Sequence, residues 1–209
     1  MSVALGRFVV LDGPDGCGKS TQVRMLAEWL RGRGLRIAAY RDPGTTAVGE
    51  KIRSILLDSA DLKMGAKVEA LLFMAARAQL WQEHIAADLA AGTWVVMDRW
   101  ISSTCAYQGF AGGFGIEKVI GLGQDCLTRV WPDLTIVLDI DTKTAAGRMD
   151  RALDRMEQKG REYHAKVREG FLALARMHPE HLRVVNAARS IDEVQAEVQG
   201  IVSKLTIDY

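Results

Sequence analysis

The sequence predicts an α/β protein built as a three-layer sandwich, a five-stranded parallel sheet flanked by helices. Two observations carry this. Five short apolar runs (residues 8–11, 36–40, 93–97, 134–139 and 182–185) have strand length and near-continuous hydrophobic character, as strands buried on both faces do. Longer stretches of helical periodicity separate them, and strands alternating with helices close into a parallel sheet. A third observation, a glycine-rich loop at residues 13–20 between the first run and the first helical stretch, points to where the chemistry resides.

The elements follow in order. After the strand at 8–11 and the glycine-rich loop, residues 20–33 place Val23, Leu26 and Leu30 on one helical stripe, closed by Gly32 and Gly34. The second strand, 36–40, leads to a helix over 47–58 with Val48, Ile52, Ile55 and Leu56 at helical spacing. Residues 67–91 are apolar on most faces (Val68, Leu71, Leu72, Phe73, Leu80, Trp81, Ile85), which predicts a long, heavily buried helix with room for a bend. The strand at 93–97 ends on Asp98. Helices are expected over 115–129, 142–150 and 162–177, the last stopped by His178 and Pro179. The last strand, 182–185, is followed by a helix over 191–205. The charge-dense stretch 148–168 is too polar for core and reads as a solvated helix-loop-helix or a mobile lid.

The bulk properties set bounds. The 209 residues suit one domain, 1–209, with a lid at about 148–161 and no repeat, low-complexity tract or linker. A net charge of +1 argues against a general nucleic-acid binder, so any phosphate specificity must come from a few placed cations. No uncharged apolar stretch approaches bilayer-spanning length, and the run at 8–11 is too short for a signal-peptide core. Cys17, Cys105 and Cys126 are odd in number and widely spaced, which fits a reduced cytoplasmic setting better than a disulfide framework or a zinc site.

The loop Gly13-Pro14-Asp15-Gly16-Cys17-Gly18-Lys19-Ser20 matches G-x-x-x-x-G-K-[ST], with the strand before it and the helix after it that this motif requires. Glycines let backbone N–H groups turn inward around an anion, and the following helix presents its positive N-terminus. Lys19 is expected to reach the outer phosphates of ATP, and the Ser20 hydroxyl suits Mg2+. The fold class is thus that of the P-loop NTPases, with 13–20 and Thr21 as the ATP-binding set. Cys17 reads as a small loop residue. The alternative is a thiol whose pKa is lowered by the helix N-terminus and Lys19, and which is therefore oxidisable.

A phosphate loop alone leaves GTPases, motors and small-molecule kinases open, although no N-K-x-D guanine motif is present. The deciding residues lie further on: Arg41-Asp42-Pro43-Gly44-Thr45-Thr46, Lys51-Ile52-Arg53, Phe73-Met74-Ala75-Ala76-Arg77-Ala78-Gln79, Asp98-Arg99-Trp100, Ser103-Thr104-Cys105-Ala106-Tyr107-Gln108-Gly109, Pro132-Asp133-Leu134-Thr135 and Leu153-Asp154-Arg155-Met156-Glu157. Over nearly its whole length the chain resembles the thymidylate kinase family. The resemblance implies transfer of the γ-phosphoryl group of ATP to dTMP with Mg2+, in a homodimer.

It also implies roles. Phe73, Arg77 and Gln108 are assigned to the thymine base: a flat face for stacking, a donor to a base carbonyl, and an amide for the N3–H/carbonyl edge. Tyr107 lies against the deoxyribose, Thr104 joins the acceptor site, and Asp15 accepts from the 3′-hydroxyl. Arg53 and Arg99 clamp the acceptor monophosphate, for which a planar guanidinium is suited. Asp98, at the end of a buried strand, can hold Mg2+ or its water, together with Ser20. The catalytic set is Lys19, Asp98, Arg99 and a lid cation. Some relatives carry an arginine where this chain has Gly16. The alternative source is the lid, with Arg148, Arg151 and Arg155, of which Arg155 in the D-R-x-E match is the first choice.

The chain departs from the family pattern at four places. The acceptor loop carries Asp42 for a longer acid and Thr45 for glycine, and threonine resists positive φ. Trp100 stands for a smaller ring and Ser102 for an acid. These departures leave room for relaxed selection between thymidylate and deoxyuridylate. The rival readings are a P-loop kinase for another nucleoside or nucleoside monophosphate, and an acceptor-independent nucleotide-binding switch.

Overall fold

A computed structural model describes residues 6–58, 62–149 and 152–205. Five parallel strands, β1 (Phe8–Asp12), β2 (Ile37–Arg41), β3 (Trp94–Asp98), β4 (Leu134–Asp139) and β5 (Leu182–Asn186), form one sheet in the order β2-β3-β1-β4-β5. The register sets Leu11 opposite Asp98, and Asp98 opposite Arg41, so the carboxyl ends of three strands finish side by side. Ligands of open α/β sheets bind at that edge.

Alternation along β1 divides the core. Phe8 and Val10 face one layer with Val95, Met97 and Val137, while Val9 and Leu11 face the other with Val96, Ile136 and Leu138. The second layer is closed by α1 (Lys19–Arg31) and α9 (Ile191–Ser203), through Val23, Leu26, Val194 and Val198. The first is covered by α3 (Ala66–Leu80), α6 (Ile116–Cys126) and α8 (Arg161–Met177), with Met74, Val119, Val167 and Phe171 inside. Helix α2 (Ala47–Leu57) lies beside α3 and closes a smaller cluster of Ile52, Leu56 and Ala76. A short α7 (Thr142–Gly147) follows β4.

Two stretches differ from the sequence expectation. The long helix expected over 67–91 is present and unbroken from 66 to 90, but its hydrogen bonding changes midway: α3 passes into a π-helical turn (Trp81–Ile85) and then α4 (Ala86–Ala90). It is also less enclosed than its composition suggests, since Val68 and Leu71 face outward while Glu69 and Arg77 are wholly buried. Apolarity all round a helix did not reveal which face turns inward. The second difference is a helical segment that periodicity missed, α5 (Ile101–Thr104) continuing as a π-helical stretch (Cys105–Ala111). Its Ser, Thr and Gly content gives it weak intrinsic helix propensity. Tertiary contact supplies the rest: α8 presses Gly170 against Ala106 and Phe110, where an added Cβ would sit 2.9 Å from the Phe110 Cβ. The Tyr163 hydroxyl donates to the Tyr107 carbonyl at 2.8 Å.

Candidate active site

The carboxyl edge of β1 and β3 opens into a cleft of about 630 Å³. Its walls include Asp15, Lys19, Ser20, Thr21, Arg53, Phe73, Arg77, Asp98, Arg99, Thr104, Tyr107, Gln108 and Arg148. Residues spread over 130 positions of sequence thus meet in one place.

The phosphate loop forms one end. Gly13, Gly16 and Gly18 all take positive φ (137, 76 and 92°), conformations glycine adopts without strain. Gly16 has a second constraint, because a Cβ there would sit 2.3 Å from the Ala145 carbonyl oxygen in α7. Backbone packing therefore closes this position to any side chain, an arginine included. Lys19 folds along the loop and donates to the carbonyl oxygens of Pro14 at 2.8 Å and Gly13 at 3.1 Å. Cys17 is buried under it, and burial pushes its thiol up against the pull of Lys19. A lowered-pKa thiol is thereby overturned: desolvation outweighs the nearby ammonium.

Ser20 and Asp98 face each other, the hydroxyl donating to Oδ2 at 2.5 Å. A hydroxyl and a carboxylate at the foot of the phosphate loop are the hard oxygen donors Mg2+ takes alongside substrate phosphates, so these residues fit the ion.

Arg99 stands at the centre. Its backbone is itself unusual, at φ 72°. One side of its guanidinium donates to the Gly13 carbonyl and Ser103 hydroxyl at 3.2 and 3.0 Å, and the other to the Asp15 carboxylate. The second Asp15 oxygen accepts from the Tyr107 hydroxyl at 2.6 Å. Burial raises the Asp15 pKa, but Arg99, Lys19 and Tyr107 together hold it below the usual range. Behind them Asp12, wholly buried, accepts from Ser102 at 2.5 Å and Ser103 at 2.6 Å. The Ser102 departure thus has a local partner: the carboxylate in this pair comes from β1.

The other end is the candidate base pocket. Phe73 lines it half-buried, and Arg77 is sealed behind, 0% exposed. The Arg77 guanidinium donates to Asp42 Oδ2 from Nε at 2.8 Å and from Nη2 at 2.5 Å, and to the Thr104 hydroxyl at 3.1 Å. Its Cζ lies 5.2 Å from the Trp100 ring centroid, so the larger ring at this position backs the arginine. Burial, with Oδ1 left without a partner, raises the Asp42 pKa in spite of Arg77. Thr45 does take a positive φ, 72°, held by its N–H to Glu50 at 2.7 Å. Arg53 donates to the Pro43 carbonyl at 2.9 Å, which ties the acceptor loop to α2.

The lid arginines separate. Arg148 lines the cleft and is braced by the Ala187 carbonyl at 2.8 Å. Arg151 lies outside the described residues. Arg155, the first choice as the phosphate cation, is placed elsewhere: its guanidinium is nine-tenths buried and bonded to the Leu56 carbonyl at 2.7 Å and to Glu69 at 2.8 Å. A buried guanidinium needs paired acceptors, and these two are found behind the base pocket rather than at the phosphate loop. Glu69 itself was missed in the sequence. Its signal was a lone acid on an apolar helix stretch, with partners that lie far along the chain.

The family model described as thymidylate kinase matches residues 11–198. The chain belongs to the thymidylate kinase family. It is therefore a nucleoside monophosphate kinase, a phosphotransferase. A thymidylate kinase of Symbiobacterium thermophilum is 41% identical over 199 residues, 95% of this chain and 93% of the relative. One from Thermosipho africanus is 40% identical over 198 residues, covering 94% and 98%. The crystal structure of the thymidylate kinase of Ehrlichia chaffeensis superposes with a TM-score of 0.78 at 28% identity, covering 95% of this chain and 98% of that one.

Proposed function

We propose that this cleft transfers the γ-phosphoryl group of ATP to dTMP, giving dTDP and ADP for dTTP synthesis. The observation that carries the reading is the Arg99–Asp15–Tyr107 cluster: it joins the phosphate loop at one end to the Phe73–Arg77–Gln108 pocket at the other. The nucleophile is an anionic phosphate oxygen of dTMP, so no strong general base is required. Catalysis is positioning plus neutralisation of charge spreading over the transferred group. Lys19 serves the β- and γ-phosphates. Arg99, held at a fixed distance from the loop, bridges the acceptor phosphate and the γ-phosphate, and Arg53 steadies the acceptor phosphate. Asp15 and Tyr107 face the sugar; Phe73, Arg77, Thr104 and Gln108 hold the base.

Ser20 and Asp98 are the residues that would hold Mg2+, which supplies charge neutralisation across the donor phosphates when bound. The segment at about 148–161 closes over the cleft and excludes water, with Arg148 the described lid cation that reaches it and Arg151 its neighbour outside the described residues. The 209 residues act as one domain. A homodimer is supported by outward apolar residues on two adjacent helices, Val48 and Ile55 on α2 with Val68 and Leu71 on α3. A cytoplasmic setting accords with an ATP-consuming enzyme that keeps Cys17, Cys105 and Cys126 free.

The test is ADP release with ATP and magnesium plus, separately, thymidine, dTMP, dUMP, UMP and AMP. Strong stimulation by dTMP is expected, and its absence overturns the reading. A monomer mass in solution overturns the dimer.

A further inference from the structure

Gln108 and Glu69 come from different helices and are both buried, 1% and 0% exposed. The Gln108 amide approaches Glu69 Oε2 at 3.0 Å. Glu69 is also gripped from the other side. Arg155 donates to its Oε1 at 2.8 Å, and the Lys159 ammonium donates to both oxygens at 2.8 and 2.9 Å. Burial alone would push this carboxyl up, but the hydrogen bonds from Lys159, Gln108 and Arg155 bring it below the usual range, so it is ionised.

An ionised carboxylate can only accept hydrogen bonds. The amide atom facing it is therefore the NH2 group, which assigns an orientation that amide shape alone leaves ambiguous. With Nε2 committed to Glu69, the group Gln108 keeps for the cleft is Oε1, an acceptor. No described residue donates to it, and Gln108 lines the cleft wall.

We propose that Glu69 is a positioning residue that locks the Gln108 amide with its oxygen toward the base, so that the pocket selects a pyrimidine carrying an N3–H and rejects one whose N3 is a bare acceptor. This rests on the dTMP-kinase reading and deepens it, because it names what enforces base choice. Gln108 without Glu69 would serve either base, since an unconstrained amide turns over to meet donor or acceptor alike. Arg155 and Lys159 anchor the lock, which ties base reading to the segment that carries the lid.

The experiment compares dTMP with the 2-pyrimidinone deoxynucleotide, whose ring has a bare N3 and no C4 substituent. That choice removes any contribution from Arg77 acting on an amino group. Dissociation constants for both nucleotides, and KM and kcat for dTMP, are measured in wild type, E69Q and E69D. In E69Q the neutral partner can donate to Gln108, and the amide is free to turn. The preference for dTMP over the pyrimidinone nucleotide is expected to fall tenfold or more. The KM for dTMP should rise, while the KM for ATP stays within twofold.

E69D keeps the charge that Arg155 and Lys159 require but withdraws the acceptor by one methylene. It carries the test if E69Q does not fold, with a fall of at least threefold expected. Equal weakening of both nucleotides, or an unchanged ratio in a folded variant, overturns the proposal and would make Glu69 merely structural. If wild type shows no dTMP-stimulated ADP release, the dTMP-kinase reading fails instead, so the two failures are distinguishable.

Discussion

The Arg99 guanidinium donates to the Asp15 carboxylate, binding the end of β3 to the phosphate loop. The pair is four-fifths buried, and Tyr107 closes it from the far side at 2.6 Å. A cation held this way cannot be replaced by a mobile one without losing its aim. R99A is expected to lower kcat/KM for dTMP by about 100-fold or more, because it removes a preorganised charge from the transferred group. R99K should recover only part of this, since an ammonium lacks the planar fork. A steady-state series in dTMP checks it; a loss below about tenfold for R99A would mean the role is misassigned.

Gly16 and Gly18 offer a controlled comparison inside one loop. Both hold positive φ, 76 and 92°, so alanine strains either backbone. Only at Gly16 does the added Cβ strike main chain, the Ala145 carbonyl at 2.3 Å; at Gly18 nothing lies within 4 Å. G18A should therefore cost about 1–2 kcal/mol, the left-handed penalty of a single residue. G16A should cost clearly more, with α7 displaced. Denaturant unfolding of the two variants decides the matter, and equal stabilities would mean that the contact with α7 is soft.

Asp42 and Arg77 form an ion pair in which both side chains are at most 1% exposed. Removing one partner leaves the other charged in the interior, so D42A is expected to destabilise by about 3–5 kcal/mol, a fall in Tm of roughly 6 °C or more for a chain of this size. It should also raise the KM for dTMP, because Arg77 loses the acceptor that orients it toward the base. A Tm change within 2 °C, about what 1 kcal/mol produces, would show that water enters the site.

What could be read from the sequence follows from where each signal lives. Five apolar runs and the helical stripes between them are local, and all five strands lie within two residues of where periodicity placed them. The phosphate loop is local too, since eight consecutive residues carry its chemistry. The segment from Ile101 to Ala111 was missed because its helical form depends on α8 packing through Gly170, a contact about 65 positions distant. The D-R-x-E match within a charged, lid-like stretch points Arg155 to the phosphates. Its real partners, Glu69 and Leu56, are about 90 and 100 positions away and give no spacing signal. Gly16 worked in the other direction: its identity pointed to the lid, and the Ala145 carbonyl supplies the physical reason.

The Glu69 carboxylate should leave a mark on the pH dependence of stability. Its folded pKa is depressed by Lys159, Gln108 and Arg155 against the opposing effect of burial, while in the unfolded chain it titrates near about 4.3. On acidification the unfolded state takes up the proton first. The stabilisation from this group is therefore complete above that value and is lost as pH falls through the lower, folded pKa. E69Q cannot titrate, so the stability gap between wild type and E69Q should be constant from about pH 7 to 5 and should shrink steadily below about pH 4.3. Urea midpoints at fixed pH steps measure that gap directly. A gap that stays flat into the acid range would mean the folded pKa is not depressed; a gap that instead grows in favour of wild type as pH falls towards about 4.3 would mean Glu69 is protonated in the folded enzyme, and a protonated Glu69 could donate to Gln108 and turn its amide the other way.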